Sequence, residues 1–206
     1  AALALGTIGG GESVDALLAA LEDDDRNVRR AAVVGLARAG GEVAVQALRQ
    51  TIETDPAEEV VGAAAAALGG FDAEAGPLLA RLMDRNSTWW NTIRIGAMLG
   101  LAELEDAQWV TLFRTYTGAE FEIDLRLAAL DGWFRAGPEG PDLAARLREL
   151  AMDGNLTMRA DALSRLGKLH RAEDLPFLDE IVAQEPDANL ARAARDAAAT
   201  IRAFNP

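Results

Sequence analysis

Chemistry in this chain of 206 residues would have to come from carboxylates, arginines, hydroxyls and one imidazole. There is no cysteine, which removes disulfides, thiolate metal ligands and thiol nucleophiles together. His170 is the single histidine, so a zinc site of the usual His or Cys kind is excluded, as is a Ser–His mechanism that uses more than one ring. It follows Leu169 at the end of a helical pattern, where a cation suits the helix dipole, and it reads as a cap. Four acidic runs, Glu22–Asp25, Asp55–Glu59, Glu103–Asp106 and Glu120–Asp124, carry the oxygen ligands a divalent cation takes. None has the alternating spacing and glycine of a calcium loop, and most stand at helix starts, where negative charge is favourable. No glycine-rich segment follows a strand pattern, so no phosphate loop is assigned. The expectation is no catalytic, cofactor-binding or metal-binding residue in this chain.

Two other groups of residues are patterned. Arg29, Arg94, Arg126 and Arg159 recur at one position of a repeat. In three cases an acid stands six residues upstream: Asp23, Glu120 and Asp153; Arg94 has Thr88 there. Arginines in register would suit an anionic ligand, but the spacing also lets a turn carboxylate bond the arginine of its own or the adjacent unit, and this structural ladder is the reading adopted. Eight of the eleven aromatics fall between Trp89 and Phe134. Phe113 and Trp133 are expected in the core. Trp89 and Trp90, with Ile95, Leu99 and Leu127 at positions that are polar or small elsewhere, are the candidate partner-binding residues, since aromatic anchors and exposed apolar area mark docking surfaces.

The elements that position these residues follow from a repeat. The segment V-R-R-A-A-V-V-G-L-A-R-A-G at Val28–Gly40 has counterparts starting at Val60, Ile93, Leu125, Met158 and Leu190, in steps of 32 or 33. Its first position is always apolar, and its fifth is always alanine: Ala32, Ala64, Ala97, Ala129, Ala162 and Ala194. Spacings of four place these on one helix face, and a methyl at the middle of that face lets a neighbouring helix come close. A second helix per unit lies between the templates, with Leu17, Leu48, Leu79, Leu112, Leu147 and Leu178 among its apolar residues. Turn chemistry separates the helices, as in Thr54-Asp55-Pro56 and Asp153-Gly154-Asn155. Gly137-Pro138-Glu139-Gly140-Pro141 is a longer turn or a hinge. No stretch alternates with the period of a strand. The expectation is an all-α solenoid over residues 1–206 as a single repeat domain. It comprises a partial repeat at 1–10 and six helix pairs at 11–41, 42–71, 72–104, 105–137, 141–169 and 172–204, each leaning on its neighbours.

Composition limits the partners. The 20 Lys and Arg against 33 Asp and Glu leave a net charge of −13, which disfavours nucleic acid and anionic membrane surfaces. No apolar run is long enough to span a bilayer, and the start has no signal-peptide pattern. It reads instead as the back half of a helix, as an excised piece of a longer protein would. Nineteen arginines against one lysine, Lys168, reflect a compositional bias of the genome or acid enrichment for a saline environment.

A two-helix unit of this length carrying R-A-D-A-L-S-R-L-G at Arg159–Gly167 resembles the short HEAT-like repeats of the phycobilisome-lyase type, over essentially the whole chain. The resemblance implies a right-handed α-α superhelix. It leaves function open, since such repeats serve as scaffolds, bilin lyase subunits, enzyme appendages and DNA glycosylases. Ser87–Ala102 and Leu175–Arg202 are similar to the C-terminal HEAT-like domain of bacterial aminopeptidase-N-like zinc peptidases. The zinc motif H-E-x-x-H is absent, so this likeness implies a non-catalytic tail. The expected role is a scaffold that binds protein, either an upstream domain of the same chain or another polypeptide, without cofactor. The alternative is a solenoid enzyme or enzyme subunit, a bilin lyase subunit or a HEAT-like DNA glycosylase; the acidic surface disfavours the latter.

Overall fold

A computed structural model describes residues 11–84, 91–137 and 140–205. Among them the regular elements are twelve α-helices: α1 (Gly11–Ala20), α2 (Arg26–Ala39), α3 (Gly41–Thr54), α4 (Glu58–Leu68), α5 (Gly76–Leu82), α6 (Thr92–Glu103), α7 (Val110–Tyr116), α8 (Ile123–Ala136), α9 (Pro141–Leu150), α10 (Leu156–Lys168), α11 (Leu175–Gln184) and α12 (Ala188–Phe204). Single 3-10 turns, Ala107–Trp109 and Ala172–Asp174, lead into α7 and α11. The helices alternate as first and second members of six pairs, each second helix carrying one copy of the template.

Acids and amides of the turns start the second helices. Asp25 accepts from the Asn27 N–H at α2, Asn155 from Thr157 and Met158 at α10, and Asp187 from Asn189 and Leu190 at α12. Each satisfies backbone donors that have no partner inside the helix.

The chain divides into two compact units, Ala1–Gly132 and Trp133–Pro206, the division falling inside α8. In the first, second helices follow one another, α2 against α4 and α4 against α6, with α1, α3 and α5 each on the second helix of its own pair. In the second, α10 packs on α12, with α9 on α10 and α11 on α12.

The template alanines make these contacts possible: all six are fully buried. Glycine brings α4 and α6 closer still. A Cβ on Gly96 would lie 2.1 Å from the Gly62 carbonyl oxygen, and one on Gly100 2.3 Å from that of Ala65. In the second unit, a Cβ on Gly167 would lie 2.8 Å from the Ala197 Cα. Close approach of backbones adds many small dispersion contacts along each helix pair. Large side chains fill gaps that glycine leaves elsewhere. The Phe113 ring occupies the place of a Gly132 Cβ, and the Trp109 ring that of a Gly76 Cβ. Phe113 and Trp133 are buried, Trp133 at the template position that is leucine in most other repeats.

Candidate functional site

Of the five candidate partner-binding residues, Trp89 and Trp90 lie outside the described residues. The other three share one kind of surface. Ile95 and Leu99 stand one turn apart on α6, on the side away from the buried Ile93, Ala97 and Leu101. Ile95 is half-buried and Leu99 is 41% exposed. Leu127, half-buried on α8, holds the template position of Ile95 one repeat later. Glu103 continues the α6 row, and Asp124 and Asp131 flank Leu127 on α8. Residues three or four apart on a helix are neighbours, so Leu99 and Leu127 each have a carboxylate beside them and Ile95 has none.

The arginines are engaged, in a geometry that differs in detail from the spacing noted in the sequence. Arg29 donates from Nε and Nη2 to the Asp55 carboxylate at 2.7 and 3.1 Å. Its Nη1 donates to the carbonyls of Asp23 and Asp24 at 2.8 and 3.1 Å. The upstream turn therefore supplies backbone oxygen, and the acid comes from the next turn, 26 residues on. The Asp23 carboxylate accepts the Asp25 N–H instead. Arg159 repeats this, donating to the Ala151 carbonyl at 2.9 Å and pairing with Glu185, while Asp153 accepts the Asn155 N–H. Hydrogen bonding to Asp55 raises the Arg29 pKa above its ordinary value. Arg126 is buried and donates to the Thr117 carbonyl at 3.2 Å. Arg94 departs from the series. Its Nη1 lies 3.5 Å from Asn91 Oδ1 and its buried Nε has no hydrogen-bond partner. Glu120 is exposed on the turn before α8.

The Arg29–Asp55 pair lines a cleft of about 520 Å³, together with Leu21, Asp24, Gln50 and Thr54. An equivalent cleft of about 370 Å³ recurs in the second unit, lined by Met152, Phe177, Glu180, Ile181, Gln184 and Glu185. Gln50, Thr51, Thr54 and Asp55 correspond to Glu180, Ile181, Gln184 and Glu185 in the repeat register. The clefts are thus a product of repeat geometry, polar in one copy and apolar in the other.

Sequence reasoning missed a cluster around Asp174. Its side chain is fully buried, 3.3 Å from Arg148 Nε and 3.8 Å from Arg171 Nε. Burial pushes the Asp174 carboxyl up against the pull of both arginines, with Glu173 adding to the rise. Glu173, exposed beside it, is held low by a hydrogen bond from its own backbone N–H and by Arg171. His170 caps the end of α10 in the left-handed region, at φ 53°. Its ring stacks on Phe204 at 4.1 Å and its carbonyl accepts from Asn205 Nδ2 at 2.8 Å. This arrangement ties the end of α12 to the end of α10; the sequence marked His170 as a helix-end cap but not its partners Phe204 and Asn205.

Among the described residues no helix is long and apolar enough to cross a membrane, and no group of three or more acids or histidines is placed to hold a metal ion. A family model described as HEAT repeats matches residues 1–69. No curated protein matches the sequence. Among solved structures, the chain is similar to the complex of CpcE and CpcF of phycocyanin lyase from Nostoc sp. PCC7120, with 21% identity and a TM-score of 0.61 over 97% of this chain and 87% of that one. It is also similar to human deoxyhypusine hydroxylase in complex with glycerol, with 18% identity and a TM-score of 0.48 over 92% of this chain and 85% of that one. The helix pairs and the buried alanine column give an all-α solenoid, of which residues 1–69 match the HEAT repeat model.

Proposed function

We propose that residues 1–206 act as one repeat array whose work is to bind another polypeptide rather than to catalyse a reaction. The observation that carries this reading is Leu99, a large apolar side chain left open to solvent beside Ile95 on a helix whose other face is fully packed. Arg29 and Arg159 support it, because their donors serve turns and neighbouring repeats and so are committed to the fold. Ile95, Leu99 and Leu127 are the docking residues, with Trp89 and Trp90 as further anchors. The polypeptide bound is an upstream domain of the same protein or a separate chain; nucleic acid and membrane are disfavoured by the net charge of −13. The likeness of Ser87–Ala102 and Leu175–Arg202 to the tail domain of zinc aminopeptidases supports a finer reading, a non-catalytic appendage of a peptidase-like protein.

The test is retention of a binding partner by the wild-type chain and by Leu99→Asp. A polypeptide held by the first and lost from the second, with both unfolding at the same temperature, is the expected result. Equal retention by both chains would remove the docking role from this face. The alternative, a subunit of a solenoid enzyme, draws on the name of the phycocyanin lyase complex. Incubation of the chain with a free bilin and its acceptor protein checks it, and covalent attachment that depends on this chain would replace the scaffold reading.

A further inference from the structure

We draw no further inference here: the strongest candidate, the apolar cleft of the second unit lined by Met152, Phe177 and Ile181, carries none, because the carboxylates at its rim are already held, Glu180 by Gln184 and Glu185 by Arg159, and nothing in the structure shows what covers it.

Discussion

An ion pair that ties two helices needs opposite charges across from one another, but the helices are indifferent to which of them carries which. The chain shows this directly. Arg49 of α3 bonds Asp72 at the turn after α4, Nε to Oδ2 at 2.6 Å. At the equivalent positions of the last pair the signs are reversed, and Asp179 of α11 pairs with Arg202 of α12 at 2.6 Å. Such partly exposed pairs couple by about 0.2–1 kcal/mol. Arg49→Asp and Asp72→Arg are each expected to lower stability by about 1 kcal/mol, since each sets like charges together. The double exchange should recover most of that loss in a urea-unfolding cycle, short of full because Asp72 also accepts the Glu74 N–H. Asp174 makes a second prediction at this scale. Its carboxyl is raised by burial, so the folded state holds the proton more tightly than the unfolded chain. Stability from this group is full below the unfolded carboxylate pKa and is lost as pH rises through the folded one. The stability of Asp174→Asn minus that of wild type should therefore grow as pH rises through the carboxylate range; a flat difference would contradict the raised pKa. The sequence placed Arg29 and Arg159 on a shared rung from spacing alone. It left open whether the acid came from the arginine's own turn or the adjacent one, because carbonyl oxygens, which take the nearer place, leave no mark in a sequence. Asp174 was illegible for a related reason: what distinguishes it from other helix-start acids is burial.

Helix contacts in this chain are set by how little stands between two backbones. The alanine column was fully legible, since a methyl-sized side chain held at one register position through six repeats implies a close contact that recurs with them, and all six alanines are buried. The still closer contact of α4 with α6 was less so, because glycines at 62, 96 and 100 fall at three different template positions. Only the packed helices show that Gly96 faces the Gly62 carbonyl and Gly100 that of Ala65. Replacing either by alanine favours the isolated helix by about 1 kcal/mol. It also drives a methyl to 2.1 or 2.3 Å from a backbone oxygen, which cannot rotate away as a side chain would. Overpacking of this kind costs about 1–3 kcal/mol, and here relief requires the helices to separate. Gly96→Ala and Gly100→Ala are therefore expected to be net destabilising in chemical unfolding. Gly154→Ala, with nothing within 4 Å of its added Cβ, should stay within about 0.5 kcal/mol of wild type. If Gly96→Ala were as neutral as Gly154→Ala, the close contact between α4 and α6 would be wrong.

Charge is the property that differs most between the two compact units. A net charge of −13 was evident from composition, but its location was not, because nothing in the repeat register marks the division between Gly132 and Trp133. Once that boundary is drawn, the first unit holds 21 acids and ten arginines and the second holds near-equal numbers of each sign. Self-repulsion weakens a compact state carrying excess charge of one sign, and salt relieves it. The screening length falls from about 30 Å at 0.01 M to about 8 Å at 0.15 M, so repulsion between separated carboxylates fades while buried pairs such as Arg29–Asp55 change less. Salt should thus protect the two units unequally. Hydrogen exchange on the intact chain reads this residue by residue, without cutting α8. Core amides of α2 and α4, such as those of Val33 and Ala65, are expected to gain more protection on that increase in salt than those of Leu163 and Ala198 in α10 and α12. Equal gains in both units, or a loss in the first, would mean that local ion pairs outweigh the net charge there.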